Sequence, residues 1–313
     1  MTTRPSTAGQ QLPRLSRRAP VMLETAGWRD YGLLDSGDGE KLERFGRYRI
    51  VRPEEQAMWS RRLPTREWAD ADARFVGIGE DAADGRWRYR TPLAETWPIA
   101  YDGITLAGRF TNFRHVGVFP EQATHWAWIK QRIEAAGGGV RPLKVLNLFA
   151  YTGVASLVAA RAGAEVAHID ASKKAIAWAR ENQRLSGLEA LKVRWIADDA
   201  MKFVERERRR DSRYDGIILD PPKFGRGPKG EVWDLFTGLR PLMRACRGLL
   251  SERPAFVILT AYSIRASFTA IDEVAAECLD GLGGRLESGE LVIREEGGGR
   301  VLSTSLFSRW SPP

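Results

Sequence analysis

The stretch V-L-N-L-F-A-Y-T-G at positions 145–153 says most about the fold class, because an apolar run ends there in a turn that leads into a helical pattern. From this point on, short apolar runs typical of buried strands alternate with longer amphipathic runs typical of helices. The predicted strands lie at 143–148, 165–169, 191–196, 214–219 and 255–260, and the predicted helices at 154–162, 172–185, 200–210, 235–250 and 267–281. These alternations predict an α/β fold with a doubly wound, mostly parallel sheet, to which two final strands at 286–295 and 300–309 add an antiparallel edge.

The N-terminal third of the chain is β-like. Its predicted strands lie at 31–35, 44–51, 87–91, 97–100 and 104–110, and the turn S-G-D-G at 36–39 joins the first two. A helix is predicted at 121–136, before a run of three glycines. We therefore expect a basic flexible tail at 1–21, a smaller β-rich domain at 22–115 that is a candidate for substrate recognition, and an α/β domain at 116–313. Residues 1–20 carry four arginines and no acid, a composition that transit peptides share.

The composition is that of a globular chain: 313 residues, 43% hydrophobic and 28% charged. It excludes fibrous, disordered and disulfide-scaffold classes, and no apolar run reaches the roughly 18 residues of a membrane span. The only cysteines, Cys246 and Cys278, lie in helical apolar patterns, where core packing is expected. Three histidines occur at no ligand spacing. We therefore predict a reduced, cytoplasmic protein without a metal.

The net charge of +8 comes from 39 arginines and 9 lysines against 40 acids. Arginine suits phosphate binding and base stacking better than lysine does. The same excess can also reflect genome base composition, so charge alone leaves nucleic-acid binding open.

The turn at 149–153 has a single glycine and does not match the G-x-G-x-x-G pattern that wraps a dinucleotide diphosphate. Its phenylalanine and tyrosine crowd the backbone, which argues against a nicotinamide-dependent oxidoreductase. The turn can still pack against a smaller ligand that carries a neutral sulfur or a sulfonium group. The residues predicted to contact this ligand are Phe149, Ala150, Tyr151, Thr152 and Gly153.

Carboxylates follow the next two predicted strands. Asp170 can accept both hydroxyls of a ribose, and Asp198 or Asp199 can accept from an adenine amino group. Each acid alone is more often a helix N-cap. Ligand-facing groups at three consecutive strand ends favour a binding site.

The fourth predicted strand leads into D-P-P-K-F at 220–224. Asp220, Pro221, Pro222 and Phe224 are the predicted catalytic residues. The prolines lack N–H donors, so the Asp220 carboxylate and the Pro221 carbonyl can accept from a planar amine or amide while Phe224 stacks on a base. The alternative interpretation is a simple Pro-Pro strand stop.

A flexible basic loop follows at 225–233. Next to the predicted acceptor pocket, it could contact a phosphate or act as a lid. The residues predicted to bind substrate are Lys223, Arg226 and Lys229.

These motifs together resemble class I S-adenosylmethionine-dependent methyltransferases, and the group most similar to the chain modifies bacterial large-subunit ribosomal RNA. The motifs are N-L-F-A-Y-T-G (147–153), H-I-D-A-S (168–172), A-R-E-N (179–182), D-D-A (198–200) and D-P-P-K-F (220–224). The resemblance implies a Rossmann-like seven-stranded sheet, S-adenosyl-L-methionine as cofactor and RNA as partner. It places 149–153 at the methionine end, Asp170 at the ribose, Asp198 or Asp199 at the adenine and 220–224 at the acceptor. It also implies that the segment 117–121 closes over the cofactor.

One departure from the family pattern bears on the chemistry. Cytosine-5 methyltransferases of this group carry a nucleophilic cysteine after the fifth strand, where this chain reads L-T-A-Y-S at 259–263. We therefore predict methylation of a base nitrogen in RNA without a cysteine nucleophile. Ribosomal RNA is the most favoured substrate. A protein or small-molecule acceptor is the alternative; a nicotinamide-dependent oxidoreductase or an inert RNA-binding module is less favoured.

Overall fold

The computed structural model describes residues 15–77, 85–137, 141–262, 264 and 266–313. Its strands are β1 (Ser16–Arg17), β2 (Val21–Thr25), β3 (Tyr31–Gly37), β4 (Glu40–Phe45), β5 (Tyr48–Pro53), β6 (Ala73–Gly77), β7 (Gly85–Tyr89), β8 (Thr96–Tyr101), β9 (Ile104–Arg109), β10 (Lys144–Leu148), β11 (Glu165–Asp170), β12 (Val193–Ala197), β13 (Gly216–Leu219), β14 (Phe224–Arg226), β15 (Val232–Asp234), β16 (Phe256–Tyr262), β17 (Arg285–Arg294) and β18 (Val301–Ser311). Its helices are α1 (Thr65–Ala69), α2 (Ala123–Ala136), α3 (Val154–Arg161), α4 (Lys173–Leu185), α5 (Ala200–Arg209), α6 (Leu235–Arg247) and α7 (Phe268–Leu279), with a 3₁₀ turn at Pro120–Gln122.

The main sheet has the strand order β1-β17-β18-β16-β13-β10-β11-β12, and β2 also pairs with β17. β10, β11, β12, β13 and β16 are parallel, and β18 runs antiparallel to β16 and β17. This confirms the predicted Rossmann-like sheet of seven strands with an antiparallel final hairpin. The strand order reverses between β10 and β13, so a crevice opens there beyond their carboxyl ends.

Both faces of the sheet are covered, as the near-continuous apolar strands require. Leu146 and Leu148 of β10 pack with α5, α6 and α7, whereas Val145 packs with α2 and α3 on the other face. Cys246 and Cys278 are buried in the first of these cores, which confirms the prediction for both. The two faces of β10 are therefore buried in separate cores, and the residue that follows its carboxyl end, Phe149, lines the cavity described below.

Two further strands extend this sheet. β1 and β2 pair in parallel with β17, so the predicted flexible tail is wrong for the part of 15–21 that these strands include; residues 1–14 lie outside the described residues. Exposed sheet edges are often covered in this way by distant segments.

The β-rich N-terminal part contains a five-stranded sheet, β3 to β7 in order, and the hairpin β8–β9. The predicted strand at 44–51 is wrong, because Gly46 adopts a φ of 58° and turns the chain between β4 and β5. Arg52 of β5 and Glu43 of β4 form a buried ion pair inside this part, with nitrogen–oxygen distances of 2.6 and 2.7 Å.

One hydrophobic cluster joins the N-terminal part to the main sheet. Trp28, Phe45 and Trp97 pack in it together with Val154 and Leu157 of α3. The hairpin β8–β9 also docks on α4, where the indole of Trp178 donates to the carbonyl of Ala107 at 2.9 Å. The two parts therefore share a core instead of meeting across a solvated interface.

Because of this shared core, Leu157→Ala should destabilise the whole chain. Leu157 is fully buried, and Leu→Ala changes in cores lower the free energy of unfolding by about 2–5 kcal/mol. Differential scanning calorimetry should show a single transition that moves to lower temperature. The partly exposed Leu185→Ala is the matched control and should change little. Two separate transitions, only one of them shifted, would contradict the shared core.

Candidate active site

The turn after β10 has strained backbone. Phe149 and Tyr151 have φ values of 56° and 48°, in the left-handed region, and Gly153 has 85°. Non-glycine residues in such regions cost about 1–3 kcal/mol each and persist where the surroundings hold them. Here the hydroxyl of Thr152 donates to the carbonyl of Gly117 at 2.6 Å, and the N–H of Tyr151 donates to Asp170 Oδ2 at 2.8 Å.

This turn borders a cavity of about 380 Å³ at the carboxyl ends of β10, β11, β12 and β13. Nine of the residues predicted from the sequence line it: Phe149, Tyr151, Asp170, Asp198, Asp199, Asp220, Pro221, Pro222 and Arg226. Three others, Ala150, Thr152 and Gly153, line a smaller cavity of about 60 Å³ next to it. The remaining three, Lys223, Phe224 and Lys229, line neither.

The acids at the strand ends are each anchored by backbone donors. Asp170 accepts from the N–H groups of Tyr151 and Ser172, both at 2.8 Å, and burial raises its pKa. Asp199 caps α5 by accepting from the N–H of Lys202 at 2.9 Å. The N-cap role considered for these acids is therefore real for Asp199. It coexists with a place in the cavity wall, because a carboxylate has acceptor sites to spare.

Asp198 is held by a backbone donor and by an ion pair. One of its oxygens accepts from the N–H of Asp199, and the other pairs with Arg206 at 2.7 Å. Arg206 thus fixes the direction of this carboxylate at the cavity wall.

Asp220 lies where β13 ends, and the side-chain amide of Gln122 donates to its Oδ2 at 3.1 Å. Thr260 donates in turn to the Gln122 oxygen at 3.5 Å. Burial raises the pKa of Asp220 to about 7, and the nearby charge of Glu121 adds to this effect. A carboxyl group with such a pKa can donate or accept a proton near neutrality.

The aromatic ring that lines the cavity beyond β13 is that of Trp233 and not that of Phe224, for which stacking was predicted. Phe224 is 60% exposed and lies outside the cavity, with Lys223 Nζ 5.0 Å from its ring centre. Trp233 lines the cavity instead, 5.0 Å from the ring of Phe149 between centres, and its indole donates to the Pro222 carbonyl at 2.7 Å. This hydrogen bond takes one of the two acceptor sites of that carbonyl. The short hairpin β14–β15 pairs Gly225 with Trp233 and turns Phe224 to the other face.

Besides Trp233, the lining residues that were missed as site residues include His115, Phe119, Glu121, Gln122 and Tyr262. The resemblance had marked 117–121, but nothing local in the sequence singles out the other three. Tyr151 Oη lies 3.1 Å from His115 Nδ1, and burial, with the charges of Arg52 and Arg114, lowers the pKa of His115 to about 4. His115 is therefore neutral at physiological pH.

The lining chemistry fits a nucleoside that carries a positive charge. Five carboxyl groups and one arginine line the cavity. Aromatic and apolar walls complete it, and aromatic faces attract cations. The same acidic lining disfavours a diphosphate, so S-adenosylmethionine, with its ribose, adenine and sulfonium, suits this cavity better than a dinucleotide.

Comparison with known proteins decides the family. The sequence model of the S-adenosylmethionine-dependent methyltransferases matches residues 52–277. The chain belongs to this family. S-adenosylmethionine is therefore its cofactor, and the protein is a methyltransferase enzyme.

The curated relatives of the methyltransferase include proteins that are named as ribosomal RNA methyltransferases. It is 36% identical over 163 residues to the ribosomal RNA large subunit methyltransferase I of Aeromonas salmonicida, over 52% of this chain and 39% of the relative. It is 40% identical over 89 residues to the large subunit methyltransferase K/L of Shewanella baltica, over 28% of this chain and 12% of the relative. The chain spans about two fifths of the length of the methyltransferase I relatives.

Solved structures are similar to this chain over a larger part of its length than the curated relatives are. A SAM-dependent methyltransferase from Agrobacterium tumefaciens is 56% identical, with a TM-score of 0.92 over 97% of both chains. The protein SMU.776, solved in complex with SAH, is 18% identical, with a TM-score of 0.69 over 91% of this chain and 76% of that one. The second likeness shows the fold alone.

In the part of the methyltransferase that the structure describes, no helix is long and apolar enough to cross a membrane. Nor does any group of three His, Cys, Asp or Glu side chains there have an arrangement that could hold a metal ion.

Asp170→Asn should weaken cofactor binding. The amide keeps the size of the side chain but brings an NH₂ group against the N–H donors of Tyr151 and Ser172, and it removes the charge. We expect at least about a 10-fold loss of affinity, or about 1.4 kcal/mol, measured by calorimetry with S-adenosylmethionine.

The exposed Asp280→Asn serves as the matched control and should bind as the unchanged protein does. Unaltered affinity in a folded Asp170→Asn would remove Asp170 from the cofactor site.

Proposed function

We propose that this methyltransferase methylates a base nitrogen in RNA, with ribosomal RNA as the first candidate, and uses no cysteine nucleophile. One observation carries the proposal. A carboxyl group, an aromatic face and a basic residue line one cavity at the end of β13: Asp220, Trp233 and Arg226. Such a set suits a flat, amino-bearing ring attached to a phosphate backbone.

Each group of residues has a proposed role in binding the cofactor or the acceptor. Residues 149–153 and Asp170 hold the methionine and ribose portions of the cofactor, and Asp198 or Asp199 binds the adenine. When bound, S-adenosylmethionine supplies a methyl group on a positively charged sulfur. Asp220 and the Pro221 carbonyl accept from the acceptor amine and orient its lone pair, while Trp233 provides the stacking face first assigned to Phe224. Positioning of this kind supplies much of the rate enhancement when no covalent step is needed.

The cysteines support nitrogen over carbon as the target. Methylation at C5 of a pyrimidine needs a nucleophile at C6. Cys246 of α6 and Cys278 of α7 are 3% and 5% exposed. Both pack in the core between these helices and the sheet, and neither lines the cavity. Burial raises the pKa of both thiols, which disfavours the reactive thiolate.

The surroundings of the cavity support a nucleic acid. Arg226 lines the cavity, and no hydrogen bond or ion pair to its side chain occurs within the described ranges. Lys223 and Lys229 lie on the same segment and are proposed to contact the RNA backbone. The ribosomal RNA relatives and the net charge of +8 agree with this substrate. Such an enzyme would work in the cytoplasm.

The β-rich part, proposed as the domain 22–115, would take part in recognition. It ends in His115, which lines the cavity, and Phe113, which is 48% exposed and stacks on His115 with 5.4 Å between ring centres. An exposed ring beside a base-sized cavity is a suitable platform for a neighbouring base.

Nucleoside mass spectrometry of RNA from a deletion strain and its parent tests the substrate. One methylated nucleoside should be lost from the ribosomal RNA of the deletion strain and return when the gene is restored. If every nucleoside in all RNA classes is unchanged, the acceptor is a protein or a small molecule and the proposal fails.

Asp220→Ala should abolish methyl transfer and leave cofactor affinity within about 2-fold. The side chain is proposed to touch only the acceptor, and loss of one positioned polar group in an active site costs about 10²–10³ in kcat. Single-turnover transfer to RNA and calorimetry with the cofactor measure the two effects. A large loss of cofactor affinity would move Asp220 to the cofactor site.

The double variant Cys246→Ala, Cys278→Ala should keep its transfer activity within about 3-fold. Small cavities in the core should lower only the melting temperature. Abolished transfer in a folded double variant would contradict a mechanism without a cysteine nucleophile.

A further inference from the structure

Two carboxyl side chains, Glu121 and Asp220, line the same cavity. Glu121 is 4% exposed, and within the described ranges no side chain forms a hydrogen bond or ion pair with its carboxylate. Asp220 accepts one hydrogen bond, from Gln122. A buried acid in a cavity wall whose carboxylate has no side-chain partner keeps acceptor sites for a ligand.

The cations nearest to Glu121 are already paired within the N-terminal sheet. Lys41 binds Glu54 at 3.0 Å, and Arg52 binds Glu43 through two nitrogens. The other titratable or charged groups that face the two carboxyls from neighbouring elements are Tyr31 of β3, Tyr262 of β16, and His115, Asp170 and Arg226 of the cavity wall. Lys41 and Arg52 favour the charged form of Glu121 against its burial, and the charge of Glu121 acts in turn on Asp220.

Two carboxyl groups that line one cavity and interact through their charges do not readily ionise together, because the second negative charge is repelled by the first. Burial raises the pKa of Glu121, and burial and the Glu121 charge raise that of Asp220 to about 7. Since the pKa of His115 is about 4, that ring does not supply the proton. Near neutral pH the two carboxyls thus hold one proton between them.

We propose that Glu121 and Asp220 form a one-proton carboxyl pair that selects acceptor bases with an amino group next to an unprotonated ring nitrogen. Adenine and cytosine carry this edge. The shared proton is donated to the ring nitrogen, and a carboxyl oxygen accepts from the amino group. The inference rests on the proposed function and names the class of base within it.

Bases with the reverse edge should be rejected. Guanine and hypoxanthine carry a hydrogen on the ring nitrogen, which would face the shared proton, and a carbonyl where the amino group should be. A base edge that mismatches a paired donor and acceptor costs about 1–3 kcal/mol, or about 5- to 150-fold in affinity. Glu121 is therefore a specificity residue for the acceptor.

The test compares RNA nonamers that differ at one base. Each has eight uridines around a central adenosine, cytidine or inosine and carries a terminal fluorophore, and binding is followed by anisotropy with the full chain and S-adenosylhomocysteine. At pH 6.5 the adenosine and cytidine oligomers should bind at least about 5-fold more tightly than the inosine oligomer. This preference should decrease between pH 6 and pH 8, because the pair loses its proton as the pH rises through about 7.

Two variants distinguish the loss of the carboxyl pair from a general loss of RNA binding. Glu121→Gln removes the charge that helps keep Asp220 protonated, so the preference for adenosine over inosine at pH 7 should fall below about 2-fold while affinity for S-adenosylhomocysteine stays the same. Asp220→Asn carries a donor and an acceptor at every pH, so its preference should no longer depend on pH. The exposed Glu189→Gln is the matched control and should behave as the unchanged protein does. Thermal unfolding checks that each variant is folded.

The outcomes distinguish the pair from the function on which it rests. Equal binding of adenosine and inosine oligomers overturns the pair and leaves RNA methylation standing, as does a folded Glu121→Gln with the original preference. Failure of every oligomer to bind overturns the pair together with the RNA substrate.

Discussion

The carboxylate of Asp170 holds the turn between β10 and α3 by accepting from the N–H of Tyr151, and the rest of the site depends on this contact. Without it, nothing in the sequence of that turn favours two aromatic residues with positive φ. With it, Phe149 and Tyr151 face the cavity, and Thr152 reaches the carbonyl of Gly117. These two hydrogen bonds thus link the ends of β10 and β11 to the segment at Gly117.

The N-terminal sheet influences the site through its buried charges as well as through its packing. Arg52 and Glu43 are almost fully buried, and an ion pair of that kind adds little net stability once desolvation is counted. Their charges are felt at the cavity instead. Arg52 helps keep His115 neutral, and Lys41 and Arg52 act on Glu121 in the opposite direction to its burial. Residues that do not line the cavity therefore contribute to its electrostatics, together with the burial of the lining groups.

Most of the main sheet could be predicted from the sequence, because its strands are buried on both faces and its helices are amphipathic. The strand-end acids were found for the same reason, since parallel strands bring their carboxyl ends to one edge. The register of β14–β15 was not predictable from the glycine-rich segment 225–233. That register decides that Trp233 and not Phe224 lines the cavity. Residues such as Gln122 and Tyr262 come to the site only through tertiary packing. No local pattern marks them.

β1 pairs with the first residues of β17, so Ser16 lies opposite Arg285 in the sheet. Nearly the whole length of the chain separates these partners, and closing so long a loop carries a large entropic cost before any contact stabilises it. During synthesis the partner strand emerges from the ribosome only after α7. The edge of the sheet that β1 and β2 occupy can therefore form only after β17 has left the ribosome.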